Sequence, residues 1–134
     1  MKKEKLPSWL PHLSFGDVID QLSIVARKVF FGEEDAIEEL NYLIEHLDKM
    51  KIDKSVKRTG KFIVTIIRLA QVNFEVWERE NKFRQGESMP AQKVKQMMIE
   101  VREFNTKRKK YRNELNRLTQ WGFREFKVKH RSQC

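Results

Sequence analysis

The sequence predicts an all-α protein, an antiparallel bundle of about four helices that forms a single domain over residues 1–134. Apolar residues recur every three or four positions through most of the chain, which is the period of a helix with one buried face. Glycine and proline number only 5 and 3, so turns are few and the helices between them are long. A content of 40% hydrophobic and 35% charged residues is typical of a globular domain with a charged surface.

An irregular N-terminal arm, residues 1–13, precedes the first predicted helix. Ser14 followed three residues later by Asp17 is typical of a helix N-terminus, where each side chain bonds the backbone of the other. Gly32 is predicted to end this helix. The stretch EEDAIEELNYLIEHLDK then forms a second helix, whose acidic first turn suits the positive end of the helix dipole.

A long third helix is predicted from Asp53 to about Arg84. Asp53 is a suitable N-cap, because its carboxylate can accept hydrogen bonds from the free backbone N–H groups of the first turn. Gly60 lies inside the predicted helix, where it either weakens the helix locally or lets another backbone come close.

The segment QGESMP is the clearest turn in the sequence and separates the third helix from a fourth. Ser88 is the predicted N-cap of this fourth helix, with Pro90 in its first turn, where a backbone N–H is not needed. The helix is predicted to run to about Thr119. A basic, aromatic C-terminal tail, residues 121–134, follows it.

The basic residues are concentrated in the second part of the chain. Residues 1–60 hold 10 Lys and Arg against 11 Asp and Glu, a net charge of −1. Residues 61–134 hold 18 against 8, a net charge of +10. Such a surplus favours anionic partners, namely nucleic acid, nucleotides or an acidic membrane face.

Several classes of protein are excluded by what the sequence lacks. Its longest apolar block, KFIVTII, is far shorter than the roughly 20 residues that cross a bilayer, so no transmembrane segment is predicted. Two prolines interrupt the apolar N-terminal stretch, which is not typical of a signal peptide, so the expected location is the cytoplasm. The single cysteine, Cys134, and three scattered histidines predict no disulfide, metal site or cofactor.

Three predicted helices carry polar residues on the stripe where apolar residues are expected. In RLAQVNFEVWERENKFR one helical stripe runs through Asn73, Trp77, Glu80 and Arg84. A buried charge without a partner is costly, so these side chains must pair with one another, meet water or bind a ligand. The predicted ligand-binding residues of this polar seam are Asp20, Lys28, Asn73, Trp77, Glu80, Arg84, Arg102, Asn105, Arg108 and Arg112.

The polar seam has two interpretations at this point. In the first, it is an internal network with pairs such as Asp20 with Arg102 or Arg108. In the second, its basic surplus holds a small phosphorylated ligand, a nucleotide or nucleotide-like molecule, with Trp77 stacked on the base. The pocket then lies within the bundle or between the subunits of a homo-oligomer, and the protein is a non-enzymatic sensor or sequestering sponge.

Three stretches of the sequence carry a resemblance to a known family. They are SFGDVIDQLSIVARKVF, VNFEVWERENKFR and VREFNTKRKKYRNEL, which together cover most of the chain in order. The chain resembles a family of small helical bacterial proteins that is known only as a domain of unknown function, often encoded near glycosyltransferases. The resemblance implies a helical fold and a shared polar centre but no activity. The chain departs from the family at Asn81, where an Asp is usual, and is shorter.

A second class of function is indicated by KRKKYRNELNR, the strongest basic block of the sequence. Lys107, Lys109 and Lys110 could contact phosphates, and Tyr111 could stack on a base, as a nucleic-acid-binding or scaffold protein requires. No recognised nucleic-acid motif accompanies the block, and a solvated helix face is its other interpretation.

A lesser alternative is a Mg-dependent enzyme similar to helical nucleotide pyrophosphatases, which bind Mg²⁺ through paired acids on two helices. Glu34 and Glu38 share one face of the second helix, and Glu75 and Glu78 are three residues apart on the third. The first pair also suits the start of a helix, and the second lies off the apolar stripe. No catalytic residue is therefore assigned.

Overall fold

The computed structural model describes residues 13–84 and 88–120. Within these ranges the chain forms five α-helices and no strand, so the predicted all-α fold is confirmed. The helices are α1 (Phe15–Phe30), α2 (Ala36–Lys49), α3 (Lys54–Lys57), α4 (Gly60–Arg84) and α5 (Ala91–Thr119). None of them combines the length and the apolar composition needed to cross a bilayer. The predicted C-terminal tail, and all of the predicted N-terminal arm except Leu13, lie outside the described residues.

The predicted start of α1 is confirmed by a reciprocal pair of hydrogen bonds. The backbone N–H of Asp17 donates to the hydroxyl of Ser14 at 3.2 Å, and the backbone N–H of Ser14 donates to the carboxylate of Asp17 at 3.4 Å. Gly32 follows the end of α1 with a φ of +91°, a left-handed conformation that glycine adopts at low cost.

The single long third helix predicted from the sequence is wrong, because the structure divides it into α3 and α4. Asp53 caps the one-turn helix α3 as predicted and accepts a hydrogen bond from the N–H of Ser55 at 2.8 Å. Thr59 then interrupts the helical backbone. Its hydroxyl accepts from the N–H of Phe62 at 3.2 Å, which gives α4 its own start. Gly60 is therefore the first residue of α4 rather than an interior position.

The predicted start of the last helix also needs correction. Ser88 does not cap α5, and Pro90 precedes the helix instead of lying in its first turn. The backbone carbonyl of Pro90 accepts from the N–H of Val94 at 3.1 Å, so α5 begins at Ala91. The proline ring disfavours the helical conformation at Met89, and the helix therefore cannot extend back toward Ser88.

The helices α1, α4 and α5 pack against one another, and α2 packs against α1. Lys61 near the start of α4 forms an ion pair of 3.0 Å with Glu114 near the end of α5, so these two helices are antiparallel. Phe15 and Phe62, each near the start of its helix, have ring centroids 5.6 Å apart, so α1 and α4 run in the same direction. The bundle is thus mixed in direction, with α5 antiparallel to both.

The hydrophobic core lies where these helices meet. Leu43, Leu69 and Leu115, one each from α2, α4 and α5, are fully buried. Burial of a leucine side chain stabilises the fold by roughly 1.5–3 kcal/mol. The core cluster consists of Phe15, Val18, Ile19, Val25, Ala36, Leu43, Met50, Phe62, Leu69 and Leu115.

Gly16 allows α1 and α5 to approach closely. A Cβ atom at this position would overlap the backbone carbonyl of Arg112 in α5. Across the same contact, the N–H of Gly16 donates to the side-chain oxygen of Asn116 at 2.7 Å. The helix contact therefore requires glycine here, although glycine normally weakens a helix.

Gly16→Ala is expected to destabilise the protein by about 1–3 kcal/mol, because the added methyl group overpacks a close backbone contact. Gly60→Ala is the matched control, since nothing lies within 4 Å of a Cβ added there. This control is expected to leave stability unchanged or to raise it by up to about 1 kcal/mol. Urea denaturation measures both variants, and equal effects would contradict the close approach of α1 and α5.

Candidate functional site

A buried carboxylate lies at the centre of the polar seam. Asp20 in α1 is fully buried and accepts hydrogen bonds from two other helices. Arg108 in α5 donates from Nε and Nη2 to the two carboxylate oxygens, at 2.7 and 2.6 Å. Asn73 in α4 donates from Nδ2 at 2.9 Å. Of the two internal pairs predicted for Asp20, the structure forms the one with Arg108 and not the one with Arg102.

Ser23 completes the Asp20 network, which consists of Asp20, Ser23, Asn73 and Arg108. The Ser23 hydroxyl donates to the backbone carbonyl of Asp20 at 2.8 Å and accepts from Nδ2 of Asn73 at 2.7 Å. The hydrogen bonds with Asp20 hold the pKa of Arg108 above its usual value, although burial acts in the opposite direction. The buried carboxylate thus has a charged, bidentate partner and a neutral donor, which offset the cost of removing it from water.

A looser ion pair extends the seam toward the start of α1. Nη1 of Arg112 lies 3.5 Å from the carboxylate of Asp17 and 3.8 Å from that of Asp20. The Nε atom of Arg112 is buried without a partner among the described residues. The seam between α1 and α5 therefore holds two carboxylates opposite two guanidinium groups, so it carries no positive surplus.

Four of the ten predicted seam residues come together in the structure. They are Asp20, Asn73, Arg108 and Arg112. A fifth, Trp77, is half-buried and stacks on Phe31, with ring centroids 5.2 Å apart and planes 13° apart. Trp77 therefore packs against the end of α1, outside the Asp20 network.

Glu80 and Arg84 lie on the surface and not on a buried seam. They pair with each other at 3.3 Å, and both side chains are exposed. The reason is the difference in helix length. α1 ends at Phe30, beside Trp77, so the last two turns of α4 extend past it and the stripe continues into solvent.

Lys28, Arg102 and Asn105 are exposed as well, because their spacing rotates them off the buried face. At 3.6 residues per turn, a step of four residues turns about 40° beyond a full turn. Lys28 lies two such steps after Asp20. A step of three residues falls about 60° short of a full turn, and Asn105 and Arg102 lie one and two such steps before Arg108.

Asn116 is a seam residue that the sequence analysis missed. It is buried and accepts the hydrogen bond from Gly16 that joins α5 to α1. Asn116 lies four residues after Arg112, so extending the polar stripe of α5 by one turn would have found it.

A second feature, the α4–α5 groove, lies on the surface between the first part of α4 and the last part of α5. Two adjoining cavities of about 1010 and 440 Å³ form it, and Arg68 and Tyr111 line both. The larger cavity also reaches Phe74 and Arg27, whose guanidinium carbon lies 4.5 Å from the Phe74 ring centre. The polar and aromatic groove residues include Lys61, Arg68, Gln71 and Glu75 of α4 and Phe104, Lys107, Lys110, Tyr111 and Glu114 of α5, and the apolar residues Val64, Ile66, Ile67, Ala70 and Val72 of α4 line it as well.

The α4–α5 groove carries positive charges that no described carboxylate neutralises. Arg68, Lys107 and Lys110 form no ion pair with any residue in 13–84 or 88–120. Of the basic groove residues, Lys61 alone forms an ion pair within the described ranges, with Glu114. The groove therefore has the positive surplus that the seam lacks.

The predicted nucleic-acid residues divide between two sides of α5. Lys107, Lys110 and Tyr111 line the α4–α5 groove. Lys109 lines neither of its cavities and instead lines an adjoining depression near Asn116, which shares Lys110 and Glu114 with the groove. The basic block therefore extends from the groove around α5, with Lys110 at the boundary and Lys109 outside the groove.

The two acidic pairs of the lesser alternative are not brought together. Glu75 forms an ion pair of 2.7 Å with Arg79 on its own helix, while Glu34 and Glu38 are exposed around the start of α2. In the part of the chain that the structure describes, no group of three or more His, Cys, Asp or Glu side chains could hold a metal ion.

Comparison of the chain with protein-family models, with curated proteins and with solved structures finds no match. The resemblance of the sequence to a helical family of unknown function therefore stays a prediction.

Asp20→Ala is expected to lower the free energy of unfolding by about 3–5 kcal/mol, because it leaves the buried donors of Arg108 and Asn73 without their acceptor. Glu80→Ala is the matched control. It breaks only the exposed pair with Arg84 and is expected to change stability by about 0.5 kcal/mol or less. Guanidinium denaturation measures both.

A loss of stability in Asp20→Ala as small as that in Glu80→Ala would contradict the structural role of the network. If Asp20→Ala does not fold, Asn73→Ala provides the measurement. That variant removes one buried donor and is expected to cost about 1–3 kcal/mol.

The ion pair between Lys61 of α4 and Glu114 of α5 predicts that stability depends on pH. Hydrogen bonds from Arg117 and Lys61 lower the pKa of Glu114 to about 2, although burial opposes them. Because this pKa is depressed below the ordinary 4.5, Glu114 stabilises the fold above that pH, and the contribution is lost as the pH falls toward 2.

Glu114→Gln is therefore expected to be less stable than the native chain at neutral pH, with the difference vanishing as the pH falls through this window. Urea denaturation at a series of pH values measures the difference. Glu103→Gln, an exposed change on the same helix without a described ion pair, is the control. If the difference in stability between Glu114→Gln and the native chain stays constant with pH, the lowered pKa of Glu114 is contradicted.

Proposed function

We propose that this protein is a non-enzymatic binding protein that holds single-stranded nucleic acid in the α4–α5 groove. The observation that carries the proposal is a set of three cations without a described ion pair, Arg68, Lys107 and Lys110, which line the same two cavities as Tyr111. Cations in an open groove bind phosphates with release of counterions. Aromatic rings stack on bases and tolerate any sequence, because every base has a π-face.

The groove suits an anion better than the seam does. Arg108 already directs two hydrogen bonds to Asp20. A phosphate entering there would have to displace this carboxylate and leave it buried without its charged partner. The balanced charge of the seam also removes the reason for placing an anion on it.

The small phosphorylated ligand expected from the sequence has the chemistry of one unit of a strand, a phosphate with a base. The larger cavity has enough volume for such a unit, at about 1010 Å³. The groove continues beyond the larger cavity into the adjoining one, and the stretch of α4 that lines both, from Lys61 to Glu75, spans about 21 Å. The net charge of +9 favours a polyanion. We therefore infer a strand and not a single nucleotide.

Fluorescence anisotropy with a labelled oligo(dT) tests the proposal. Lys107→Ala and Lys110→Ala are each expected to weaken binding and to reduce the slope of log K against log salt by about 0.7, the value for one phosphate contact on a single strand. Lys109→Ala is the matched control, since it removes the same charge from the same helix but outside the groove. Its affinity and slope are expected to stay close to those of the native chain.

Equal losses in all three lysine variants would contradict the groove, because charge alone would then drive binding. A thermal-shift measurement with mononucleotides and cyclic dinucleotides distinguishes a small phosphorylated ligand from a strand. Stabilisation by one of these, lost in Arg68→Ala and without any binding of oligo(dT), would replace the strand with a small phosphorylated ligand. If Arg108→Ala loses this stabilisation and Arg68→Ala keeps it, the ligand binds at the polar seam and not in the groove.

A further inference from the structure

The outer side of α2 is acidic with an apolar centre. Residues 33–48, which include the turn before α2, hold seven acidic residues and no Lys or Arg. Ile37 and Ile44, two turns apart, are 44% and 42% exposed. Glu45 and Asp48 form no ion pair with the described residues. The α2 outer face is defined as Ile37, Asn41, Ile44, Glu45 and Asp48.

The outer side of α4 is apolar with basic flanks. Ile63 and Ile67 are 49% and 50% exposed, and Phe74 is exposed further along the helix. Arg68 lies on one flank, and Arg27 lies over the Phe74 ring on the other. The α4 outer stripe is defined as Ile63, Ile67, Ala70 and Phe74.

The two surfaces match in spacing and in charge. The α4 outer stripe follows intervals of four, three and four residues, and so do Ile37, Asn41, Ile44 and Asp48, so each set forms a stripe along one side of its helix. Packed as a helix pair, the isoleucines meet apolar side chains, and the carboxylates of α2 lie opposite guanidinium groups. Among the described helices, α2 packs on α1 through its opposite side, where Leu43 is buried, and it does not pack on the α4 outer stripe of its own chain.

We propose that the α2 outer face of one copy of this chain docks on the α4 outer stripe of a second copy. The second copy is the partner because every copy carries both complementary surfaces. The contact closes into a dimer if the two copies engage each other reciprocally, and otherwise extends head to tail. Exposed charges supply much of the attraction, so the association weakens with salt.

This association does not rest on nucleic-acid binding, but the two overlap on one surface, because Ile67, Ala70 and Phe74 of the α4 outer stripe also line the larger cavity of the α4–α5 groove. Arg68 lies beside the α4 outer stripe and also lines the α4–α5 groove. Carboxylates of α2 and phosphates of a strand would therefore exclude each other at this guanidinium group. Binding of a strand would therefore release the second copy.

Sedimentation velocity over a range of protein concentrations tests the proposal. The native chain is expected to associate at low salt and to dissociate at high salt. A variant with Glu45→Arg and Asp48→Arg, and a separate variant with Arg68→Glu, are each expected to stay monomeric. A 1:1 mixture of the two is expected to associate again, because the reversed charges then face each other.

Lys95→Glu is the control, since it reverses an exposed charge on α5 away from both surfaces and is expected to leave association unchanged. Ile67→Ser removes apolar area without a change in charge and is expected to weaken association. A native chain that is monomeric at every concentration, or a mixture that stays monomeric, would overturn the proposal. The variant with Glu45→Arg and Asp48→Arg is expected to keep its binding of oligo(dT). A failure of the self-association proposal is therefore distinguishable from a failure of the strand-binding proposal.

Discussion

The packing of α1, α4 and α5 depends on one buried carboxylate. Asp20 is fully buried, and a charge in that position is tolerated only while a cation and hydrogen-bond donors surround it. Arg108 and Asn73 meet this requirement from two different helices. Sliding either helix by one turn would separate a donor from the carboxylate, so the network fixes the register of three helices, as polar residues do in other helical assemblies.

This constraint also decides where the protein can hold an anion. The seam carries balanced charge because Asp17 and Asp20 face Arg108 and Arg112. Among the described residues, α4 and α5 carry much of the basic surplus, and the acids are concentrated in α2 and the turn before it. An interior with balanced charge, between outer helices of opposite charge, favours binding at the surface. Both the strand in the α4–α5 groove and the second copy on α4 use this separation of charge.

Local signals in the sequence predicted the helix starts well where a side chain acts on its own backbone, as at Ser14 and Asp53. They failed at Thr59, because a threonine in a helical pattern can either stay in the helix or cap a new one, and periodicity does not distinguish the two. The Asp20 and Arg108 pair was among the predicted alternatives. Glu80 was misplaced on the seam because its burial depends on where α1 ends, a tertiary property.

The most direct test of the account follows the Nε–H signal of Arg108 by NMR while oligo(dT) is added, together with the backbone amides of Lys107 and Lys110. The account predicts a slowly exchanging Arg108 signal, protected by its bond to Asp20, that does not move, while the signals of the two lysines shift with binding. An Arg108 signal that exchanges rapidly, or that shifts while those of the lysines remain in place, would show that the seam is open and is itself the binding site.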